Sequence, residues 1–218
     1  MGKCPARVVP VDPEQPDMAI VCQAAELIAA GGVVAYPTDT VYGLAADPHN
    51  EQAVEKVFAI KGRAAGKALT LILAGTEQLH GLVAKMPRAA EILTEAFWPG
   101  PLTIVLPLAP GVDLPALRGS GTVAVRVPAS SLCRSLARLC GRPITATSAN
   151  LSGEPEPTQA AQVAAALGER LDLILDGGPS PLRVPSTLVD ATAHPPVVLR
   201  EGAIPAERIM AVLTEGRP

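Results

Sequence analysis

Four short segments of this chain concentrate more polar side chains than the turns of a small domain require. In Tyr36-Pro37-Thr38-Asp39-Thr40-Val41-Tyr42-Gly43-Leu44, hydroxyls and a carboxylate follow an apolar run stopped by proline. Thr and Asp in such a turn either meet a ligand or satisfy backbone donors beside them, and the local sequence leaves both readings open. Lys61-Gly62-Arg63 with Lys67 sets three cations on one glycine-containing loop. They can form a clamp around a triphosphate, or simply complement the C-terminal end of a helix dipole. In Thr122-Val123-Ala124-Val125-Arg126-Val127-Pro128 the strand period puts Thr122, Ala124 and Arg126 on one face and the valines on the other. Such an arginine suits fixing a carboxylate through two parallel hydrogen bonds; an edge arginine lying in solvent is the competing reading. Finally, Thr145-Ala146-Thr147-Ser148-Ala149-Asn150-Leu151-Ser152-Gly153 runs from a strand into small hydroxyl and amide side chains, suited to bonding a ligand or to capping a turn. The stretches around Ser186 (Pro185 to Asp190) and Arg200 (Leu199 to Gly202) are weaker signals of the same kind.

Other chemistries fail on spacing. His49, His80 and His194 stand apart from each other and from Cys4, Cys22, Cys133 and Cys140, which form no CxxC pair and read as scattered reduced thiols. Gly62-Arg63-Ala64-Ala65-Gly66-Lys67 is one residue short of a phosphate-binding loop, and Ala68 stands where a Ser or Thr is needed. It also leaves a helix and enters a strand, the reverse of the required order. Gly119-Ser120-Gly121-Thr122-Val123-Ala124 fits a loose dinucleotide fingerprint, but a strand follows it, so no helix N-terminus meets a pyrophosphate.

The elements that must hold these segments follow from apolar spacing. Asp17 caps a helix with Ile20, Val21, Ala24, Leu27 and Ile28 inward, ended by Gly31-Gly32, and a strand Val33 to Tyr36 follows. Asn50 caps a second helix burying Val54, Val57, Phe58 and Ile60; a basic loop and the strand Leu69 to Leu73 come next. A helix through Ala90, Ile92, Leu93 and Phe97 stops at Trp98-Pro99-Gly100-Pro101. Strands are expected at Leu102 to Leu106, Thr122 to Val127, Ile144 to Thr147, Leu173 to Leu175, Thr187 to Val189 and Val197 to Leu199. Helices are expected around Leu132 to Leu139, at Gln159 to Leu167, and from Pro205 through Leu213. This alternation without a long linker predicts one α/β domain over residues 1–218 around a single mixed sheet, with the motifs between about 17 and 215.

Composition narrows the class. The chain has 218 residues, 48% hydrophobic and 18% charged, enough for a buried core and unlike a disordered chain. Eighteen basic against 21 acidic residues give a net charge of −3, so no overall field grips a polyanion. Aromatic residues are only 2% of the chain, too few for a base-stacking platform. No apolar run approaches the ~20 residues that span a bilayer, and the start lacks a signal-peptide core, which points to a cytoplasmic protein.

Taken together, YPTDTVYGL, KGR with Lys67, WPGPLTIVLP, VAVRVP, TSANLSG, PSTLVD and LREGAI, in this order, resemble the YrdC family of L-threonylcarbamoyladenylate synthases, from about Gly32 to Ile204. The resemblance implies a twisted α/β sheet enclosing a large concave cavity. It also implies a reaction of L-threonine, bicarbonate and ATP, with Mg²⁺, yielding threonylcarbamoyl-AMP and pyrophosphate for threonylcarbamoyladenosine in tRNA. By motif position, Thr40, Arg126 and Ser186 are expected on threonine, with Arg126 taking its carboxylate. Lys61, Arg63 and Lys67 are expected at the ATP phosphates, and Thr122, Ser148, Asn150 and Arg200 along the nucleotide. Neither a general base nor metal ligands are assigned. The partners implied are the small substrates, with tRNA or the threonylcarbamoyl-transferase complex further on, and no membrane.

Several positions depart from the family pattern: Ala64 and Ala68-Leu69 where prolines are common, Lys67 and Ile72 as in the shorter bacterial branch, and Glu156 where a small hydroxyl residue is usual. With the chain ending at Pro218, the extra C-terminal domain of longer members is not expected to close the site. Two other readings stand beside the synthase: an RNA-binding module using the same basic hollow, and a relative that transfers carbamoyl groups to another acceptor.

Overall fold

The computed structural model describes residues 6–62 and 67–216. Local signals set most element ends. The Asp17 carboxylate accepts from the Ala19 amide at 2.9 Å and starts α1 (Met18–Ala29). Asn50 does the same for Ala53, starting α2 (Glu51–Lys61), and Gly62 ends that helix at φ 57°, a left-handed conformation suited to glycine. The other helices are α3 (Arg88–Phe97), α4 (Ser131–Leu139), α5 (Ala160–Leu167) and α6 (Ala206–Glu215). Gln159 and Gln162 form a reciprocal capping box on α5.

The strands are β1 (Arg7–Pro10), β2 (Val34–Tyr36), β3 (Gly43–Ala45), β4 (Leu71–Ile72), β5 (Leu102–Pro107), β6 (Thr122–Arg126), β7 (Ile144–Thr145), β8 (Thr147–Ser148), β9 (Leu173–Asp176), β10 (Thr187–Asp190) and β11 (Val197–Arg200). The expected α/β class holds, with helices interleaved among mixed strands. The single mixed sheet expected is not what forms: the strands divide into two hydrogen-bonded sets, β1-β9-β2-β3-β8 and β11-β10-β5-β6-β4-β7. The single strand foreseen at Ile144 to Thr147 is where they join. Ile144 and Thr145 pair with β4, Thr147 and Ser148 pair with β3, and Ala146 lies between. A run this short has no periodicity to announce a change of sheet. For the same reason β3, inside the YPTDTVYGL segment, and β1 are not among the strands that the sequence predicts.

Burial explains why the strands sort this way. Val34 and Tyr36 of β2 face a core built with Val21 and Ile28 of α1 and Leu132 and Leu136 of α4, while Ala35 between them faces a larger core. Both faces of β2 are covered, so it reads as a continuous apolar run. On β6, Val123 and Val125 are buried in the larger core with Leu102, Ile104 and Leu106 of β5. Ala124 and Arg126, on the opposite face, line a cleft fed by both sheets.

Candidate functional site

The cleft encloses about 860 Å³, within the range of small-molecule pockets. Thr40, Lys61, Lys67, Arg126, Ser148, Asn150, Ser186 and Arg200 all line it. Arg63 lies outside the described residues. Thr122 is not among the lining residues; its Oγ1 sits 3.1 Å from Ser120 Oγ at the start of β6.

Arg126 is 5% exposed, so the reading of an edge arginine in solvent does not hold. Its Nε donates to Gly100 O at 2.9 Å, Nη1 to Thr40 Oγ1 at 2.8 Å, and Nη2 to Asp39 Oδ1 at 2.5 Å. Guanidinium carries five N–H donors, so among the described residues these bonds leave one N–H on each terminal nitrogen. The Trp98-Pro99-Gly100-Pro101 turn aims the first of these acceptors. The Trp98 indole donates to Leu102 O at 2.7 Å, and a Cβ on Gly100 would lie 2.3 Å from Phe97 O. In the Thr38–Thr40 turn, the two readings left open apply to different residues. Thr38 Oγ1 accepts from the Thr40 and Val41 amides and donates to Val41 O, a local turn bond. Thr40 then donates to Thr38 Oγ1 at 2.9 Å and accepts from Arg126.

Lys61, the last residue of α2, is buried and donates to Ser148 O at 2.5 Å and to Asn150 O and Oδ1 at 3.0 Å each. Asn150 Nδ2 in turn donates to Glu154 O at 2.6 Å. The ammonium thus shapes the wall made by residues 148–154 as well as bringing a positive charge to it. Lys67 is exposed on the same cleft.

The third cluster joins β5, β10 and β11. Thr103 and Ser186 hydroxyls are 2.8 Å apart, and Arg200, at the exposed rim, donates from Nη2 to Ser186 O at 2.8 Å. Gly202 lets this stretch pass Pro185, because a Cβ there would lie 2.3 Å from Pro185 O.

Sequence reasoning missed Asp39 and Thr103 as site-forming residues. Asp39 was visible only as one polar residue of a turn, whereas Thr103 carried a signal: it is the one polar residue in the otherwise apolar run Leu102 to Leu106. Thr145, inside a candidate segment, instead bridges Ala46 N and Leu44 O as a buried sheet contact.

The acidic side chains on the cleft are Glu154 and Glu156, and among the described residues no cluster of His, Cys, Asp and Glu could cage a metal. Burial pushes the Tyr36 phenol well above its usual value, the Tyr42 phenol up to about 12 and the Cys133 thiol up to about 12. All three are protonated at neutral pH and none serves there as a nucleophile or base. What remains is a chemistry of fixing and neutralising anions by cations and hydroxyls.

Fold and cleft together define an α/β protein with a cleft lined by cations and hydroxyls between two mixed sheets. The chain belongs to the Sua5/YciO/YrdC family, described as "Telomere recombination", which it matches over residues 26–202. It is 46% identical over 194 residues to a threonylcarbamoyl-AMP synthase of Pyrococcus abyssi, covering 89% of this chain and 57% of that protein. It is 40% identical over 202 residues to a putative threonylcarbamoyl-AMP synthase of Mycobacterium tuberculosis, covering 93% of this chain and 92% of that one. The crystal structure of P. abyssi Sua5 complexed with L-threonine superposes with a TM-score of 0.90 at 43% identity, covering 95% of this chain and 61% of that one. The chain thus spans little more than half the length of the Pyrococcus synthase it matches. No helix among the described residues is long and apolar enough to cross a membrane.

Proposed function

We propose that the protein condenses L-threonine, bicarbonate and ATP into threonylcarbamoyl-AMP and pyrophosphate. The observation that carries this reading is convergence: Thr40, Arg126 and Ser186 share one cleft with Lys61, Lys67, Ser148, Asn150 and Arg200. The synthases of 40% and 46% identity and the threonine complex of the superposed relative support the same substrates.

Threonine's carboxylate takes the two remaining N–H groups of Arg126; bicarbonate takes up a proton and loses water to give CO₂, and the neutral amine of threonine adds to its carbon and gives up a proton, leaving a carbamate. A carbamate oxygen attacks the α-phosphorus of ATP, the bond to the β-phosphate oxygen breaks, and pyrophosphate leaves with the electron pair. Such a displacement is accelerated by alignment and by charge neutralisation, which the cleft supplies from its cations; it needs no protein nucleophile. Mg²⁺ would enter with the nucleotide phosphates, where Glu154 or Glu156 would offer the carboxylate within the cleft and the ion would supply phosphate neutralisation. We place the reaction in the cytoplasm on a single catalytic domain, its product serving threonylcarbamoyladenosine formation on tRNA, with tRNA or the transferase complex as the later partner.

The test is pyrophosphate release by the purified protein with ATP, threonine and bicarbonate each omitted in turn. Release requiring all three is the expected result; release indifferent to bicarbonate would refute the proposal. Transfer to a different carbamoyl acceptor would appear in the same assay as release with another amine. RNA binding as the primary role is disfavoured by Tyr36 and Tyr42, both fully buried and unable to stack on bases.

A further inference from the structure

Asp39 stands out among the groups that the proposed reaction does not use. Its side chain is 10% exposed, its Oδ1 accepts from Arg126 Nη2, and its Oδ2 is buried with no hydrogen-bond partner among the described residues. A carboxylate placed merely to stabilise a core would have both oxygens satisfied, since an orphaned acceptor is destabilising. Asp39 does not line the cleft; Arg126 does. The backbone of Asp39 is itself tethered, its carbonyl accepting from Leu182 N at 3.1 Å in the stretch that leads to Ser186.

We infer that Asp39 is a positioning residue for amino-acid recognition: it locks the Arg126 guanidinium so that its free N–H pair faces the substrate carboxylate. Three anchors, Gly100 O, Thr40 Oγ1 and Asp39 Oδ1, take one N–H from each of the three guanidinium nitrogens. Asp39 is the charged one of the three. It keeps a buried cation neutralised before the substrate arrives, so the fork is already oriented and its ordering is not charged against binding. Removing that charge frees the Nη2 end of the fork to turn toward other acceptors. The inference rests on the threonine reading of the cleft and adds to it a residue that never touches the ligand.

The experiment compares the full-length wild type with Asp39→Asn and Asp39→Glu, measuring calorimetric binding of L-threonine, of L-threoninamide and of a nonhydrolysable ATP analogue. In the wild type, threonine should bind more tightly than its amide, because only the carboxylate uses both N–H groups. In Asp39→Asn, threonine affinity should fall about tenfold, the scale of one charge-assisted hydrogen bond, and the preference over the amide should shrink equally. Affinity for the ATP analogue should change less than twofold. Asp39→Glu, which restores the charge with a longer reach, should recover part of the preference, and Asp39→Ser, which also lacks the charge, takes the place of the Asn variant if that does not fold. An unchanged preference in Asp39→Asn, or in Asp39→Ser if only that folds, would overturn the inference. So would an equal loss for threonine, amide and nucleotide, the mark of general loosening, or tighter threonine binding once the charge is gone. A wild type that binds nucleotide but no threonine would instead refute the functional reading, and the inference with it.

Discussion

Replacing Lys61 with methionine tests whether its ammonium holds the cleft wall as the structure implies. The methionine keeps much of the buried stem and removes the charge along with the bonds to Ser148 O, Asn150 O and Asn150 Oδ1. A hydrogen bond to a charged group contributes about 1.5–3 kcal/mol when removed from a buried setting. The Ser148 contact is only part-buried, so water can replace it at small cost, whereas the two Asn150 contacts are buried. Discounting again for rehydration through the open cleft leaves a destabilisation of about 3 kcal/mol. For a domain of this size that lowers Tm by roughly 6–12 °C. Differential scanning calorimetry measures this directly, and calorimetric binding of an ATP analogue checks the second consequence, at least a tenfold loss of nucleotide affinity. A variant with an unchanged Tm and undiminished nucleotide binding would show that the ammonium neither braces the 148–154 wall nor serves the phosphates, and the reasoning would fail.

Ser186→Ala removes a hydroxyl shared with Thr103 and reached by Arg200; the threonine KM should rise several-fold, about 1 kcal/mol, with the ATP KM little changed in steady-state assays. Alkylation of the native protein at pH 8, followed by mass spectrometry, should label exposed Cys22 first, Cys140 slowly and Cys133 only on unfolding. Burial raises the latter two thiols to about 11 and about 12, while Cys4 lies outside the described residues. Tyr42 is raised from 10.0 to about 12, so the folded state keeps its proton where the unfolded state loses it. The stability this gives is intact below pH 10 and lost between about pH 10 and 12. Denaturant titrations of Tyr42→Phe should therefore fall less steeply with pH across that window than those of the wild type, and should be weaker below it for want of the bonds to Gly177 and Gly178.

Much of the architecture was legible because its signals are local. Asp17 and Asn50 cap helices with the side-chain bonds their types suggest, and Gly62 ends α2 where only a left-handed residue fits. The two faces of β6 could be separated on paper because a strand alternates with period two whatever surrounds it. Where elements shrink to two or three residues, as at β3, β7 and β8, no period exists to read. The passage of the chain from one sheet to the other at Ala146 was correspondingly invisible.

The sequence by itself determined the class of the fold, the ends of its helices, and which segments carried chemistry-bearing side chains. It could not decide between the readings of these segments, because the contacts that fix Arg126 and Lys61 are long-range. Arg126 meets Thr40 and Asp39 across 86 and 87 residues, and Lys61 meets Ser148 across 87. Hydrophobic burial drives the chain inward without specifying which polar groups come together there. Strand pairing sets that choice by register: Ile72 lies beside Arg126, and Gly43 beside Ser148. Only the assembled sheets could show that Thr38 serves its own turn while Thr40 serves Arg126, and that a carboxylate one residue away completes the arrangement.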